Sequence, residues 1–252
     1  GHAHPAVADA LAQQARTLLT TSNLYHTVPQ LELAAALVAR SPFDRAFFTN
    51  SGTEANEAAI KLARKWGQKQ RSGAFKVISA QNGFHGRTLA AMAASGKPGF
   101  ERMFQPLPEG FVKVPYGDID AISAAVDAQT AAVLLEPIQG EAGVILPPPG
   151  YLRAVRALCD EAGLLLMLDE IQTGIGRTGR LFRFEDEGVL PDVLTLGKQL
   201  GGGVPLAAVL TTSKSFYLEP GEHGGTFAGN PLMAACGLAI LDAVDDSLLT
   251  QV

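Results

Sequence analysis

The sequence is short of the features that define secreted, membrane-spanning and nucleic-acid-binding proteins. Its 252 residues include only two cysteines, Cys159 and Cys236, too few for a disulfide framework, so both are expected to be buried reduced thiols. No apolar run approaches the roughly 18 residues of a membrane span, and the N-terminus lacks the basic and apolar regions of a signal peptide. A net charge of -5 without a basic block gives no electrostatic footprint for nucleic acid or an anionic membrane. We therefore expect a cytoplasmic protein that acts on small molecules, and no metal-ligand set is predicted.

What the sequence does contain is a series of short apolar runs. With 47% hydrophobic and 18% charged residues, it has the composition of a globular protein with a large core. Helical segments at 55–66 and 152–162 separate several of the runs. This alternation indicates an α/β fold with a mostly parallel central sheet and helices on both faces. The predicted strands cover residues 46–49, 75–78, 111–114, 131–135, 164–168, 193–196 and 206–210.

Two amphipathic helices are predicted to open the chain, and the second begins near Pro29. The residues that share one face of the first helix are Val7, Leu11, Ala15 and Leu18. Residues 1–40 are therefore expected to form an N-terminal helical segment whose start is missing, and residues 41–252 one large domain. Because the sequence lacks an initiator methionine and ends abruptly, we expect it to be part of a longer chain.

Two side chains at the ends of predicted strands suggest an enzyme. Asp169 follows the run 164–168, and Lys198 follows the run 193–196, just ahead of three glycines. A lysine amine can hold an aldehyde cofactor such as pyridoxal phosphate (PLP) as a Schiff base, and a carboxylate can keep the ring nitrogen of that cofactor protonated. Each residue alone has an ordinary explanation, because lysines are mostly solvated and aspartates often cap the next element. The pairing favours the catalytic interpretation.

Two nucleotide-binding motifs are excluded by their context. The GxGxxG pattern of residues 174–179 does not directly follow its strand, and no helical pattern comes after it. Gly197-Lys198 resembles the end of a P-loop. However, Asp192 stands where that motif needs a glycine, and Gln199 stands where it needs a hydroxyl.

A turn rich in hydroxyl groups follows the first predicted strand. Ser51, Gly52 and Thr53 place hydroxyls and backbone N–H groups at a helix N-terminus, where the helix dipole favours a phosphate. Ser51 with Glu54 also matches a capping box, which needs no ligand. The sequence leaves both interpretations open. Thr226, in a later glycine-rich segment, is a further hydroxyl whose phosphate role is open.

Residues 84–88 bring an aromatic ring, an imidazole and a guanidinium into one turn. Phe84 could stack on a flat cofactor, and Arg87 could grip a substrate carboxylate through a two-pronged contact. His85, beside a glycine, is interpreted as a structural donor. Glu141 lies in a glycine-flanked loop after another strand, and it either faces a cleft or is simply solvated.

These candidates belong to ordered blocks in which the sequence resembles the class III aminotransferases of the ornithine and acetylornithine type. The resemblance spans nearly the whole chain, and chance agreement across all the blocks is implausible. It implies fold type I of the PLP-dependent transferases, with residues 41–252 as the large PLP-binding domain and a small C-terminal domain that is not represented. The blocks are residues 1–5, 22–25, 50–57, 84–88, 136–143, 166–179, 191–203 and 226–231.

The resemblance also implies a role for each candidate residue. Lys198 binds the cofactor aldehyde and Asp169 pairs with the pyridine nitrogen, so both are catalytic. Arg87 receives the substrate α-carboxylate, Tyr25 contacts the substrate, and Glu141 pairs with an arginine of the small domain. The other cofactor contacts are Ser51, Gly52 and Thr53 at the phosphate, Phe84 over the ring, Gln172 at the phenolic oxygen and Thr226 at a neighbouring subunit's phosphate.

The activity that the resemblance implies is PLP-dependent transfer of an ω-amino group. In the acetylornithine subgroup, which blocks 22–25, 84–88 and 114–118 favour, N-acetylornithine and 2-oxoglutarate give N-acetylglutamate semialdehyde and glutamate in arginine biosynthesis. The implied role of Thr226 makes a homodimer with a shared active site the expected assembly. Ornithine, succinylornithine and 4-aminobutyrate aminotransferases are alternatives. So are a decarboxylase or aminomutase of the same fold, and a catalytically silent binding protein.

Overall fold

The computed structural model describes residues 1–252, in which seven strands form one sheet. The strands are β1 (Arg45–Thr49), β2 (Lys76–Ala80), β3 (Phe111–Val114), β4 (Thr130–Leu135), β5 (Leu165–Asp169), β6 (Val193–Leu196) and β7 (Ala207–Thr211). The helices are α1 (Pro5–Ala15), α2 (Val28–Ala39), α3 (Gly52–Gln70), α4 (Leu89–Ala94), α5 (Phe100–Met103), α6 (Ile119–Ala125), α7 (Tyr151–Ala162), α8 (Pro231–Ala243) and α9 (Asp246–Gln251). No helix combines the length and the apolar character that crossing a bilayer requires.

The strand order in the sheet is β1-β7-β6-β5-β4-β2-β3. All neighbouring pairs are parallel except the two that involve β7, which runs antiparallel to β6 and to β1. The other strands therefore share one direction, and their carboxyl ends meet at one edge of the sheet. Ligands of α/β folds bind at this carboxyl edge.

The central strands are apolar on both faces. In β5, Leu166 and Leu168 belong to one core cluster, while Leu165 and Met167 belong to the other. Successive side chains of a strand point to opposite faces, so helices must cover the sheet on both sides. Helix α3 covers one face, and α2, α6, α7 and α8 contribute to the cluster on the other. The predicted α/β fold, with a mostly parallel sheet between helices, is confirmed.

Helix α3 begins at the carboxyl edge and crosses the sheet. The positions that it buries against the strands are mostly alanines: Ala55, Ala58, Ala59 and Ala63. Such small side chains let the helix backbone approach the sheet closely. Asn56 is also fully buried in this helix. A buried amide needs hydrogen-bond partners, and those partners lie in the site described below.

Every predicted strand overlaps an observed one, with bounds that differ by at most two residues. The helices predicted at 55–66 and 152–162 correspond to α3 and α7, although α3 extends further in both directions. The prediction for the first helix is wrong at Leu18, because α1 ends at Ala15 and Leu18 is exposed. Residues 174–179 form turns, and a short 3-10 helix follows them, as expected for a segment that is not a dinucleotide motif.

Both cysteines are free and buried, which confirms the prediction of reduced core thiols. Cys159 lies on α7 inside the larger core cluster. Burial raises the pKa of the Cys159 thiol to about 12. A thiol that stays protonated at neutral pH is a poor nucleophile and a poor metal ligand, so Cys159 serves the packing of the core.

Candidate active site

Loops from the carboxyl edge of the sheet enclose a cavity of about 320 Å³. This volume lies at the lower end of the range for small-molecule sites, roughly 300–1,000 Å³. The cavity collects eight of the predicted site residues, which are Gly52, Thr53, Phe84, Arg87, Glu141, Asp169, Gln172 and Lys198. The other lining residues are Asn56, His85, Gly86, Glu136 and Ile171. The parallel strands explain this convergence, because residues far apart in sequence leave the sheet at the same edge.

Asp169 ends β5 and is only 4% exposed. Its Oδ2 accepts a hydrogen bond from Asn56 Nδ2 at 2.8 Å and lies 2.8 Å from His85 Nδ1. Its Oδ1 accepts the backbone N–H of Ile171 at 3.1 Å. Both oxygens are therefore held in place, and the carboxylate has a fixed orientation at the wall of the cavity.

Asn56 was not predicted as a site residue, yet it connects three walls of the cavity. Its amide nitrogen donates to the backbone oxygen of His85 at 2.7 Å as well as to Asp169. Its amide oxygen accepts from Thr195 Oγ1, on β6, at 2.9 Å. The sequence could have indicated Asn56 as a site residue through its position in block 50–57, because it lies one helical turn after Gly52 and so on the same side of the helix. The interpretation of His85 as a structural donor agrees with its burial and with its contact to Asp169.

Glu136 is a second buried carboxyl at this edge that the sequence did not single out. It directly follows β4, and its Oε1 accepts the backbone N–H of Phe84 at 2.8 Å while its Oε2 accepts that of Gly140 at 3.3 Å. Burial raises the pKa of Glu136 to about 7; the neighbouring His85 opposes this shift and Asp169 adds to it. Glu136 therefore ties the turn that carries Phe84 to the end of the next strand.

Lys198 directly follows Gly197 at the end of β6 and starts a short 3-10 helix, Lys198–Gly201. Its φ of +40° places a side-chain-bearing residue in the left-handed region. Such a conformation costs on the order of 1–3 kcal/mol and occurs preferentially at functional sites. The next residue, Gln199, donates from Nε2 to the backbone oxygen of Gln172 at 3.1 Å. That bond joins the turn of the lysine to the turn that follows Asp169.

Gln172 lies directly over a glycine of the opposite loop. A Cβ added to Gly140 would stand 1.1 Å from Gln172 Oε1, so only glycine fits while Gln172 keeps this position. A similar approach occurs at Gly86, where φ is +137° and an added Cβ would stand 2.1 Å from Thr53 Oγ1. These two glycines let polar side chains close the cavity from two sides.

The turn before α3 forms the predicted capping box. Ser51 Oγ accepts the backbone N–H of Glu54 at 3.4 Å, and Glu54 Oε2 accepts that of Ser51 at 3.2 Å. Ser51 does not line the cavity, whereas Gly52 and Thr53 in the first turn do. Thr53 Oγ1 also lies 3.1 Å from Thr88 Oγ1. The capping interpretation of Ser51 is confirmed, and its phosphate role stays a prediction.

Two cations and one anion surround a pair of aromatic rings beside the cavity. The rings of Phe84 and Phe100 pack edge to face, with centroids 6.3 Å apart. The Arg87 guanidinium lies 6.0 Å from the first centroid and 5.9 Å from the second. The Lys97 ammonium lies 5.7 Å and 5.9 Å from the same two centroids, and 3.7 Å from Glu141 Oε2. Lys97 was not predicted, and the pairing of Glu141 with a small-domain arginine stays a prediction.

Two predicted residues lie away from this cavity. Thr226 lines a separate surface cavity of about 690 Å³, formed by segments 20–24 and 221–227. Asn23 Nδ2 donates to the backbone oxygen of Gly225 across this second cavity. Tyr25, just after the first segment, is 67% exposed. The predicted roles of Thr226 and Tyr25 are not met within this chain alone, and both stay predictions.

A mostly parallel sheet with a lysine and a buried aspartate facing one cavity at its carboxyl edge defines a fold type I transferase of the PLP-dependent class. The family described as Aminotransferase class-III matches residues 1–252, and the chain belongs to this family.

Among its curated relatives, the chain is similar to acetylornithine aminotransferases. The chain is 52% identical over 244 residues to acetylornithine aminotransferase 2 of Bordetella parapertussis, an alignment that covers 97% of this chain and 62% of the relative. It is 51% identical over 252 residues to the acetylornithine aminotransferase of Methanothermobacter thermautotrophicus, covering 100% of this chain and 63% of the relative. The chain therefore spans about 62% of the length of the relatives it matches.

Solved structures show the same fold. The ornithine aminotransferase of Toxoplasma gondii ME49 superposes with a TM-score of 0.93 at 39% identity, covering 98% of this chain and 60% of that structure. The acetylornithine aminotransferase of Elizabethkingia anophelis superposes with a TM-score of 0.83 at 41% identity, covering 98% and 62%.

Proposed function

We propose that this chain carries the cofactor site of an aminotransferase that moves the ω-amino group of N-acetylornithine to 2-oxoglutarate. The products would be N-acetylglutamate semialdehyde and glutamate, a step of arginine biosynthesis. The observation that carries the proposal is that Lys198 and Asp169, which leave neighbouring strands, line one cavity of about 320 Å³. The identity of 52% to an acetylornithine aminotransferase supports the substrate pair.

The residues of the cavity fit PLP. Lys198 offers a primary amine for the aldehyde, and Asp169 offers a carboxylate for the pyridine nitrogen. The first turn of α3, with Gly52 and Thr53, offers the helix N-terminus that phosphates favour. Phe84 offers an aromatic face for the ring, and Gln172 an amide for the phenolic oxygen. When bound, PLP supplies an electron sink for the carbon that exchanges its amino group.

The chain's own residues would then divide the work of the reaction. Lys198 Nζ would hold the cofactor aldehyde, and its amine would move a proton at the reacting carbon. Asp169, held by Asn56 and the N–H of Ile171, stabilises positive charge on the ring nitrogen. Arg87 binds the carboxylate of the substrate through its planar fork of donors.

Other substrates remain as alternatives within the family. The ornithine aminotransferase of Toxoplasma gondii has the same fold at 39% identity, which keeps ornithine as a candidate donor. Succinylornithine and 4-aminobutyrate differ from acetylornithine only at the end remote from the reacting amine. A decarboxylase or aminomutase of the same fold would use the same cofactor residues.

The assembly and the domain division are part of the proposal. We propose a homodimer in which Thr226 reaches the phosphate in the neighbouring subunit, with Tyr25 and Ser51 completing the substrate and phosphate sites. Residues 41–252 form the large cofactor-binding domain and residues 1–40 a helical N-terminal segment. The contact of α1 and α2 with α8 supports their close association with that domain. A cytoplasmic location stays a prediction from the sequence.

The full-length protein, incubated with each amino donor and 2-oxoglutarate, tests the reaction. We expect glutamate to form, with a kcat/KM for N-acetylornithine at least about tenfold above that for ornithine, succinylornithine or 4-aminobutyrate. Carbon dioxide release without glutamate would replace transamination by decarboxylation. A higher kcat/KM for another donor would support transamination but would show that N-acetylornithine is not the preferred substrate.

A further inference from the structure

The segment that carries Thr226 is joined to helix α3 by side-chain contacts just before its glycines. Glu222 forms an ion pair with Lys65 on that helix. The second oxygen of the same carboxylate accepts the backbone N–H of Glu219 at 2.9 Å, which closes a turn at the start of the segment. An ion pair that is partly exposed contributes little stability by itself. Its effect here is to keep the turn, and with it the next residue, His223, beside α3.

His223 is held from two sides in this position. Its Nδ1 lies 3.2 Å from Lys61 Nζ on α3. Its ring packs on the Phe47 ring of β1, with centroids 5.1 Å apart and planes tilted by 33°. An ammonium group can only donate hydrogen bonds, so Nδ1 accepts this one and carries no proton. The imidazole in this arrangement is therefore neutral, with its proton on Nε2.

A protonated imidazole could not keep this contact, because both of its nitrogens would carry a proton and two cations would stand side by side. The charged groups that α3 presents to His223 are Lys61, Glu54 and Glu57, while β1 presents the uncharged ring of Phe47. Burial and the charge of Lys61 lower the pKa of His223, and the two carboxylates oppose this shift without reversing it. The neutral form of His223 therefore favours the contact with α3, and protonation weakens it.

The contact acts on the residues that follow it. Gly224 lies in open space, where an added Cβ would meet no atom within 4 Å, and a glycine backbone does not hold its neighbours in place. From the side of the second cavity, Asn23 Nδ2 donates to the backbone oxygen of Gly225. From the side of α3, the anchor is His223. The position of Thr226, which comes directly after these residues, depends on both.

We propose that neutral His223 is a positioning residue, which accepts a hydrogen bond from Lys61 and so holds Thr226 in place for the phosphate site of the neighbouring subunit, and that protonation of His223 releases the segment. The role of Thr226 in this statement rests on the proposed function, whereas the anchoring of residues 219–227 does not. The pKa of His223 lies below its ordinary value of about 6.5. The anchoring is therefore fully present above that pH and is lost as the pH falls through the lowered pKa.

Hydrogen exchange of residues 219–227 in the full-length holoenzyme measures the anchoring without turnover. Exchange, corrected for the intrinsic rate at each pH, should be about two- to fivefold faster at pH 5.5 than at pH 8, the range of a partly exposed charge pair. His223→Asn keeps an acceptor oxygen near the place of Nδ1 but cannot titrate, so it should abolish this increase. Asparagine lacks the ring that packs on Phe47, and the comparison therefore uses the ratio between the two pH values. The matched control, His4→Asn, removes an exposed histidine before α1 and should keep the ratio of the parent.

Lys61→Met tests the partner of the histidine. Without the ammonium there is neither a hydrogen bond to lose nor a repulsion to gain, so the segment should exchange as fast at pH 8 as the parent does at pH 5.5, with no further increase on acidification. The proposal is overturned if His223→Asn keeps the exchange ratio of the parent, or if Lys61→Met leaves exchange at pH 8 unchanged.

The affinity for PLP connects the anchoring to the phosphate site. When PLP is titrated into the cofactor-free full-length protein, its Kd should rise between pH 8 and pH 5.5 about two- to fivefold more in the parent than in His223→Asn. If exchange follows the expected pattern while the rise in Kd is the same in both proteins, Thr226 does not serve the phosphate. The shared site of the proposed function then fails, and the anchoring of residues 219–227 by His223 stands.

Discussion

At the scale of single residues, Lys198 combines a proposed chemical role with an unfavourable backbone conformation. Its φ of +40° is a region that glycine occupies freely and other residues avoid. The neighbouring glycines could have taken such a conformation at no cost. The strain therefore lies at the residue that we propose to bind the cofactor, and its effect on stability can be measured separately from catalysis.

We predict that Lys198→Gly and Lys198→Ala both lose the absorbance band of the lysine-bound cofactor. Without cofactor, however, the glycine variant should be the more stable of the two by about 1 kcal/mol, because glycine relieves the left-handed strain. Urea denaturation of the cofactor-free proteins measures the difference. Exposed Lys214, whose φ is not positive, is the control, and there alanine should be the more stable replacement.

A glycine variant no more stable than the alanine variant at position 198 would mean that the turn carries no strain. A cofactor band that survives in either variant would assign the aldehyde to another lysine.

At the scale of elements, two loops of the carboxyl edge are anchored by buried carboxyls. Glu136 follows β4, and Glu170 follows Asp169 at the end of β5. Glu170 is 1% exposed and accepts the backbone N–H groups of Arg183 at 2.7 Å and Phe184 at 2.8 Å. Burial raises the pKa of Glu170 to about 7, although both N–H groups favour the charged form. The fold therefore binds a proton there that the unfolded chain gives up at lower pH.

This proton has a defined effect on stability. The folded pKa of Glu170 is raised from 4.5 to about 7, so its contribution is fully present below pH 4.5 and is lost as pH rises through 7. The free energy of unfolding should fall across this window by at most about 1.4 kcal/mol per pH unit for each such group. Glu136 contributes with the same sign. Glu170→Gln should remove part of the slope, as measured by urea denaturation between pH 4.5 and 7.

Glutamine keeps one acceptor oxygen for the N–H groups of the 183–184 turn and leaves the other N–H group without an acceptor, so it lowers stability at every pH. Because glutamine cannot titrate, the change in slope with pH still reports the proton of Glu170. Glu161→Gln, on the exposed surface of α7, should leave the slope as it is. A slope that is the same in the Glu170 variant would assign the pH dependence to other groups.

The elements themselves were largely predictable from the sequence. Apolar runs marked all seven strands, and a serine with a glutamate three residues on marked the start of α3. The direction of β7 could not be predicted, because a strand buried on both faces has the same apolar pattern in a parallel or an antiparallel pair. The extent of α1 was misjudged at Leu18, since apolar spacing continues past the residue where the helix ends.

Site residues could be predicted where a charged side chain stands out at the end of an apolar run. They could not be predicted where the role of a residue depends on partners that are distant in the sequence. Lys198 and Asp169 stood out as charged groups at the ends of apolar runs. Asn56 and Glu136 look like ordinary helix and loop residues until the fold brings Asp169 and Phe84 beside them. Lys97 could not be singled out from the sequence, because its partner Glu141 lies 44 positions further on and only the folded chain brings the two side chains together.

At the scale of the whole molecule, Thr226, which is predicted to bind a phosphate, lies away from the main cavity of its own chain. Leu24 is 87% exposed and Phe227 is 59% exposed around the second cavity, which also contains Thr226. Large apolar side chains concentrated at one place are typical of an interface. A second copy of the chain would bury them and could bring Thr226 to the site of its partner, as the proposed homodimer requires.

Complementation between two inactive variants tests this arrangement. Lys198→Ala and Thr226→Val subunits of the full-length protein are unfolded, mixed in equal amounts and refolded together. If Thr226 serves the neighbouring subunit, each mixed dimer has one site with both defects and one intact site. Activity should then recover to about a quarter of the parent value. If Thr226 serves its own subunit, no intact site forms and activity stays near that of the separate variants.

The hydrogen bonds of Asn56 have a consequence for any attempt to rebuild this site elsewhere. A single amide holds the oxygen of Asp169, the backbone at His85 and the hydroxyl of Thr195. Helix α3 therefore covers the sheet and also fixes the position of these three groups. Grafting the lysine and the aspartate onto another scaffold without this helix would transfer the two side chains without the hydrogen bond from Asn56 that orients the aspartate.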